Sequence, residues 1–511
     1  MTSVGAPPVA AASQRPVALG VALWAIAAAA MAVLALANPI NTDEGQYVAP
    51  AAVAQGAMPF VDYLYLQTPL QADLSGPFAW LVPGYGFIAM RIVTALIGVA
   101  ILAIVYAAQR ALGVTRKDAA ICTALLGGCY SFQFGCGVVR NDALPALLAT
   151  AGLAVALAAL RRTRWIGVLW ALAGLLFGLA ASAKISYAVP AAGAGLFLIV
   201  ELVRKRQTFS TLAGYGLGGL VGTAPSILAW LQAPQTFVFG VFTYAAVAPL
   251  PWQRAQHNSW IVNPAANVLI TTGVLLVGPA LGALLRVATR AAGRGWADEA
   301  KAPSCLLLDI SILAGLIAAI LPTPTNFQYA LPALPALFIR LGLEAAKPPS
   351  AHRRLERLTG AMIVFGMVCG VGYHLVFLAQ EGLARGFWQS AAVTRQAHWI
   401  GDELRRRKTA GLIGSLAPEL VLDSGYRLDP RFATGAIVYR SADLFPAGEL
   451  TRLKAIGPQN LAQSLDANPP AALVIGGAPP FEAALRQYAA QRGYLRARSP
   501  YGGVDLEIRP Y

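Results

Sequence analysis

The residues of this sequence that are best suited to chemistry are a few ionisable side chains at the ends of long apolar stretches. They are Asp43 and Glu44 after the first stretch, Arg140 and Asp142 between two later stretches, and Lys184 after another. Ionisable groups at membrane depth are costly unless they are paired, so they mark functional sites by default. If they converge on one cavity, a carboxylate there can accept a proton while a cation stabilises developing negative charge.

Two plainer interpretations of these residues stay open. The segment 41–44, Asn-Thr-Asp-Glu, precedes an alanine-rich run and predicts the start of a helix with Asn41 or Thr42 as N-cap. Asp43 would then be an ordinary first-turn carboxylate, stabilised by free backbone amides and the helix dipole. Alternatively, the whole set forms a salt-bridge cluster that joins helices. The sequence alone does not choose between these interpretations and a catalytic site.

The elements that must position these residues are apolar helices. Of 511 residues, 57% are hydrophobic and only 12% are charged, about half the charged share of a soluble protein. A helix needs about 20 apolar residues to cross a bilayer. The windows that meet this length are 17–37, 88–109, 119–137, 142–160, 165–183, 185–203, 209–231, 264–286, 304–321, 327–346 and 358–379. The pattern predicts a mainly α polytopic membrane protein with about eleven transmembrane helices.

The basic residues predict which way the helices run. With the N-terminus in the cytoplasm, the cytoplasmic segments hold 19 Lys and Arg, and the outer segments before residue 380 hold four. This asymmetry follows the positive-inside rule and places the C-terminal region outside the cytoplasm. The net charge of +15 is therefore mostly topological, which argues against nucleic-acid binding. The first window is too long for a signal-peptide core, so an uncleaved anchor is favoured over a cleaved leader that ends at 35–37.

Two parts of the chain outside the windows are expected to fold. The outer loop 38–87 is long and rich in aromatic residues, which favours a functional loop that lies against the membrane surface. The region 380–511 predicts a small extracytoplasmic α/β domain with strands at 420–422 and 472–475, a helix at 481–492 and a hairpin around 502–503. The expected division is a transmembrane domain at 1–379 and this second domain at 380–511.

An ordered set of motifs resembles the GT-C membrane glycosyltransferases. The set comprises Asp43-Glu44 at the head of the outer loop, the segment 55–63, Gln67-Thr68-Pro69-Leu70, Arg140-Asn141-Asp142, Ala183-Lys184 and Tyr329-Ala330-Leu331-Pro332-Ala333-Leu334-Pro335. The resemblance covers most of the chain. It is strongest to the branch with lipid A aminoarabinose transferases, rhizobial galacturonosyltransferases and protein O-mannosyltransferases.

This resemblance implies an enzyme that takes a sugar from a polyprenyl-phosphate donor at the outer face of the bacterial inner membrane. Direct displacement of the phosphate inverts the anomeric carbon, whereas a retaining path, which stays open, needs a carboxylate nucleophile as well. The acceptor would be a glycolipid, a polysaccharide or a protein of the cell envelope. Asp43 would act at the acceptor, and Asp142 would support it as a second catalytic acid. Lys184 would contact the donor phosphate. The further substrate-binding residues implied are Glu44, Arg140, Gln67 and Tyr329.

The chain departs from the family pattern at two cations. Gln67-Thr68-Pro69 stands where the family often has Lys-Pro-Pro, and Gln328 stands where it often has arginine before the tyrosine. These departures leave open how the donor phosphate is held.

Other activities and cofactors are alternatives to this interpretation. A transporter or flippase of lipid-linked saccharides would also place charges at helix breaks, and a non-catalytic membrane scaffold is the third interpretation. The histidines are scattered and no metal-ligand spacing occurs, so no cofactor and no metal site are predicted. A divalent cation held by Asp43 and Asp142 stays open as an alternative.

Overall fold

The fold is mainly helical, and a computed structural model describes residues 14–294, 302–347 and 353–510. The helices up to residue 203 are α1 Gln14–Ala37, α2 Glu44–Ala52, α3 Leu70–Ala79, α4 Gly86–Ala111, α5 Arg116–Gly127, α6 Tyr130–Gly135, α7 Ala143–Ala159, α8 Ile166–Ala183 and α9 Ala188–Val203. Those up to residue 385 are α10 Phe209–Gly222, α11 Ala224–Gln232, α12 Pro234–Val238, α13 Tyr244–Val247, α14 Pro249–Ala255, α15 Pro264–Leu276, α16 Ala280–Arg294, α17 Pro303–Ile320, α18 Leu334–Ala345 and α19 Arg353–Arg385. The remaining ones are α20 Gln389–Arg406, α21 Glu419–Leu422, α22 Ala436–Tyr439, α23 Ala447–Arg452, α24 Leu461–Ala467 and α25 Ala483–Gln491.

The apolar helices are those of a membrane protein, as the hydropathy pattern predicts. Among the described residues, five helices are long and apolar enough to cross a bilayer, or seven if each of two bent pairs counts as one span. All eleven predicted windows contain helix, but several are interrupted. The predicted total of eleven spans therefore stays a prediction.

Glycine and proline explain where the windows break. Window 119–137 is split into α5 and α6 at Gly128, and window 264–286 bends by 97° where Gly278, with φ of 155°, and Pro279 separate α15 from α16. Window 209–231 bends by 47° between α10 and α11, with Pro225 in the first turn of α11. Both residue types disfavour a continuous helix. Glycine loses more backbone conformational entropy than other residues when it becomes helical, and proline has no backbone N–H to donate to the helix.

Glycines also bring α8 and α10 into direct backbone contact. A Cβ added to Gly218 would stand 1.9 Å from the carbonyl oxygen of Ala171, and one added to Gly174 would stand 2.0 Å from that of Tyr215. A Cβ added to Gly222 would stand 2.3 Å from the carbonyl oxygen of Leu175. Small residues allow such close approach between membrane helices. The glycine-rich segment 214–222 therefore packs helices together.

The C-terminal region contains a four-stranded sheet, as predicted for an α/β fold. Its strands are β1 Ile413–Ser415, β2 Ala472–Ile475, β3 Leu495–Arg498 and β4 Asp505–Ile508, in the order β1-β2-β4-β3. β1 and β2 are parallel, whereas β4 is antiparallel to both β2 and β3. The predicted strand at 472–475, the helix near 481–492 and the hairpin around 502–503 are all present. Gly502 and Gly503 both have a φ of 75°, which suits a tight hairpin turn.

One predicted strand is wrong. Residues 419–422 form the short helix α21, which follows Pro418 as its N-cap. A three-residue apolar run does not distinguish a strand from a buried helical turn, and burial of Leu420 and Val421 against the outer loop decided the outcome. The division expected at residue 379 falls inside α19, which continues to Arg385, so the two-domain division stays a prediction.

The C-terminal region packs directly on the outer loop. Tyr47 and Val48 of α2 share one buried apolar cluster with Val421 and Phe432. The Asp423 carboxylate accepts hydrogen bonds from the backbone amides at the start of α4, at 2.6 Å from Gly86 N and 3.3 Å from Phe87 N. This tail carboxylate therefore caps a membrane helix. The outer loop is held between the helix bundle and the tail.

A buried carboxyl at this contact predicts pH-dependent stability. Burial raises the pKa of Glu419 from 4.5 to about 7, and its Oε2 has no hydrogen-bond partner among the described residues. In the unfolded chain the Glu419 carboxyl ionises near pH 4.5. As pH rises from 4.5 to 7, this carboxyl therefore lowers the free energy of unfolding, by about 3 kcal/mol in total. Glu419→Gln should therefore raise the thermal unfolding midpoint at pH 8 and change it little at pH 4. An equal effect at both pH values would contradict this explanation.

Candidate active site

A buried arginine shapes the turn that presents Asp43. Arg91 of α4 is fully buried and donates to the carbonyl oxygens of Ala35, Asn38 and Pro39 at 2.6, 2.8 and 3.2 Å. It also forms a two-bond ion pair with Glu44, at 2.9 Å from Nε to Oε1 and 2.5 Å from Nη2 to Oε2. Arg91 therefore fixes the backbone from the end of α1 to the start of α2.

Glu44 completes this arrangement and does not face a cavity. Its side chain is fully buried, and besides Arg91 it accepts from the backbone amides of Asn41 and Val139 at 2.9 and 2.7 Å. Val139 immediately precedes Arg140. Glu44 thus connects the turn that carries Asp43 to the segment that carries Arg140, and the structure gives it no access to a substrate.

The remaining predicted charges meet in one cluster. Arg140 bridges the two acids: its Nη1 lies 2.5 Å from Asp43 Oδ2, and its Nε lies 3.2 Å from Asp142 Oδ2. Lys184 donates to the other oxygen of Asp142. The Lys184 ammonium also stands 4.5 Å from the centre of the Tyr329 ring. The structure therefore joins residues from four separate chain segments, as the sequence argument required.

Asp43 occupies the N-cap position of α2, but its side chain makes no capping hydrogen bond. The helix begins at Glu44, so the expected N-caps Asn41 and Thr42 are wrong by one or two residues. The Asn41 side chain instead accepts from the Asp43 amide at 3.1 Å and from Arg140 at 2.8 Å. The Asp43 carboxylate is thus turned away from its own helix toward Arg140.

The electrostatic surroundings keep Asp43 ionised. Burial by itself would raise the pKa of this carboxyl, but the charge and hydrogen bond of Arg140 outweigh it. Arg440 and Lys184 add smaller effects, and the net result is a pKa below the usual 3.8. Its side chain is 29% exposed, and no hydrogen bond among the described residues engages Oδ1. One oxygen of an ionised carboxylate is therefore available to a substrate hydroxyl.

Asp43 opens onto a cavity of about 430 Å³ between the ends of the helices and the C-terminal region. Of the predicted residues, Asp43, Arg140, Gln67 and Tyr329 line it, whereas Asp142, Lys184 and Glu44 do not. Next to Gln67, Thr68 donates to a carbonyl at the end of α8 at 3.0 Å. This bond fixes the loop that carries Gln67.

Sequence reasoning missed one charged residue of this cavity, Arg440. It follows α22 in the C-terminal region, and its guanidinium lies 5.3 Å from the centre of the Trp252 ring. A second cavity of about 910 Å³, between α14 and the C-terminal region, shares Trp252, Arg440 and Ser441 with the first. No local pattern distinguishes Arg440 from the other arginines of the tail, because only the docking of the tail brings it near Asp43.

The space between the two acids holds an arginine. Among the described residues, no group of three or more His, Cys, Asp and Glu side chains is arranged to hold a metal ion. Arg140 forms ion pairs with both Asp43 and Asp142, in the position where a bridging metal cation was the open alternative. The cluster can accept a proton at Asp43 and stabilise negative charge beside it, with a positive group already in place.

The fold is shared with two kinds of membrane protein of known structure. ArnT from Cupriavidus metallidurans bound to undecaprenyl phosphate is 14% identical, over 97% of this chain and 98% of that chain, with a TM-score of 0.60. The apo state of the same protein is 15% identical, over 96% and 98%, with a TM-score of 0.59. The archaeal oligosaccharyltransferase AglB from Archaeoglobus fulgidus, in complex with an inhibitory peptide and a dolichol-phosphate, is 12% identical, over 97% and 75%, with a TM-score of 0.51.

These likenesses confirm the fold that the resemblance implies. ArnT and AglB both have the GT-C fold, and the match extends over almost the whole of this chain. No protein-family model matches the sequence, and no curated protein matches it. At 12–15% identity the comparison establishes the architecture, and the chemistry must be argued from the residues.

Proposed function

We propose that this protein is a glycosyltransferase that moves a sugar from a polyprenyl-phosphate donor to an acceptor of the cell envelope. The observation that carries the proposal is Asp43: an ionised carboxylate, held by Arg140 at one oxygen, opens its other oxygen to a cavity. The GT-C fold supports it, since ArnT was solved with undecaprenyl phosphate and AglB with a dolichol-phosphate.

In the proposed reaction, Asp43 orients the acceptor hydroxyl and accepts its proton as the acceptor oxygen attacks the anomeric carbon. The bond from that carbon to the phosphate oxygen breaks, and the polyprenyl phosphate leaves with the electron pair. Direct displacement inverts the anomeric carbon. Because the pKa of Asp43 is low, the carboxylate is a weak base and takes the proton late in the transition state.

The other predicted residues receive roles that fit their positions. Arg140 and Asp142 are positioning residues that aim the Asp43 carboxylate, and Lys184 balances the charge of Asp142. Gln67 and Tyr329 line the cavity and contact the substrates. For Lys184 this departs from the direct phosphate contact that the resemblance implies, because its amine is bonded to Asp142 and lies outside the cavity lining.

The proposed setting is the bacterial inner membrane, with the N-terminus in the cytoplasm and residues 380–511 outside it. The asymmetry of Lys and Arg supports this orientation. In this orientation the Asp43 cavity lies at the outer face, where envelope glycolipids, polysaccharides and exported proteins are available as acceptors.

The test is whether the protein consumes the donor. Purified protein in liposomes should release free polyprenyl phosphate from a polyprenyl-phosphate sugar when envelope extract supplies the acceptor. A deletion strain should accumulate the intact lipid-linked sugar and lose one sugar from its envelope glycans, as measured by mass spectrometry. A flippase would move the intact donor across the bilayer without releasing polyprenyl phosphate, and that result would overturn the proposal.

A further inference from the structure

The cations around the Asp43 cavity are few. Among the described residues that line it, Arg140 and Arg440 are the only Lys or Arg side chains. A lipid phosphate that binds beside buried side chains is best stabilised by a cation, because the attraction there is stronger than in bulk water. Residues 67 and 328, where the family that this chain resembles often has a cation, are both glutamine.

The two cations of the cluster, Arg140 and Lys184, already form ion pairs with carboxylates. Arg140 donates to Asn41, Asp43 and Asp142, and Lys184 donates to Asp142. Drawing Arg140 toward a phosphate would leave Asp43 without its ion-pair partner, and drawing Lys184 away would leave Asp43 and Asp142 to share the single charge of Arg140. Both changes are costly for buried carboxylates. Neither is therefore free to meet an additional negative charge.

Arg440 differs from both in having no acid to neutralise. No carboxylate among the described residues forms an ion pair with it, and its guanidinium packs over Trp252 at 5.3 Å. The side chain is half-buried at the boundary of the two cavities. It stands close enough to Asp43 for its charge to lower the pKa of that carboxyl. An unneutralised arginine beside the reacting carboxylate is suited to bind an anion.

The surrounding backbone holds Arg440 in place. The Tyr244 hydroxyl, from the membrane half of the chain, donates to the carbonyl oxygen of Ile437 at 2.7 Å and lies 2.9 Å from Ser441 Oγ. The short helix α22 follows Gly435, whose φ of 55° allows the chain to turn against α2. Residues on both sides of Arg440 are therefore anchored, and its position is set by the fold.

We propose that Arg440 is the cation that binds the phosphate of the polyprenyl donor, so that the C-terminal region supplies part of the donor site. The inference rests on the proposed function. Arg440 supplies the cation that the ion-paired Arg140 and Lys184 do not, and its planar guanidinium can donate two hydrogen bonds to one phosphate. As the bond to the sugar breaks, the same group meets the growing charge on the leaving phosphate.

The test is a comparison of lipid binding by full-length variants in detergent, measured by native mass spectrometry. The probes are undecaprenyl phosphate and undecaprenol, which differ only in the phosphate. Arg440→Gln should weaken undecaprenyl phosphate binding by about 10- to 100-fold, the loss expected for a charge-assisted hydrogen bond, and leave undecaprenol binding unchanged. Arg440→Lys should retain part of the affinity. Arg427→Gln, an exposed arginine of the same region, is the matched control and should bind as wild type.

Each other outcome decides against the inference. If Arg440→Gln binds undecaprenyl phosphate within twofold of wild type, or weakens both lipids equally, Arg440 does not bind the phosphate. If Lys184→Gln loses affinity and Arg440→Gln does not, Lys184 is the phosphate ligand, and the proposed function stands without Arg440. If the wild type shows no preference for the phosphate over the alcohol, the inference and the proposed function both fail.

Discussion

Asp43→Asn should lower the rate of sugar transfer by about 10²- to 10⁴-fold, the usual contribution of a positioned general base. Asparagine fills the same space but cannot accept the proton of the acceptor hydroxyl. Because the wild-type side chain is partly exposed and Asp142 still pairs with Arg140, the variant should keep its fold. The measurement is release of free polyprenyl phosphate by purified protein, together with the thermal unfolding midpoint.

Asp73→Asn is the matched control for this experiment. Asp73 is another outer-loop carboxylate, is exposed, and does not line the cavity. It should transfer sugar at the wild-type rate. If Asp43→Asn also transfers at nearly the wild-type rate, Asp43 is not the base, and the catalytic part of the proposal is wrong. Loss of rate together with a lower unfolding midpoint would make the role of Asp43 structural.

Glu44→Gln should destabilise the protein by about 3–5 kcal/mol, the cost of breaking a buried ion pair by removing one partner. Arg91 would be left fully buried with a charge and no acid to balance it. The measurement is thermal unfolding in detergent, followed by circular dichroism. This outcome also decides between two roles for Glu44, because a substrate-binding residue would change KM without lowering the unfolding midpoint.

A double variant tests whether the buried charge causes this loss. Glu44→Gln combined with Arg91→Met removes the unpaired charge, so it should be more stable than Glu44→Gln alone. Recovery should be partial, since three backbone carbonyls still lose the donor that Arg91 provides. If the double variant is less stable than the single variant, the uncompensated charge is not the main cost.

The site could be located from the sequence because charge is scarce there. In a chain with long apolar helices, an ionisable residue at a helix end is expensive, so Asp43, Arg140, Asp142 and Lys184 stand out without any alignment. The structure brings these four into contact. Glu44 shows the limit of that reasoning: being next to Asp43 in sequence predicted a shared role, whereas its side chain points into a separate buried pair.

The positions of most helices also followed from sequence. A backbone in hydrocarbon must satisfy its own hydrogen bonds, so each long apolar window contains helix regardless of its neighbours. Where glycine and proline interrupt a window, as at Gly278 and Pro279, the same local rules indicate a break but not its angle. Packing decided that angle, as it decided that residues 419–422 form a helical turn instead of a strand.

Only the tertiary structure decided which charged side chains are ion-paired within the protein and which are available to a substrate. Arg440 follows Asp43 by almost four hundred residues, and it reaches the cavity because the tail docks on α2 and Tyr244 fixes the segment around it. The sequence determined the class of the protein, its helices and the acids and bases of its cluster, since solvation costs act on each residue separately. The ion-pair partner of each charged residue depends on distances in the folded chain, and local sequence patterns do not predict distances between remote segments.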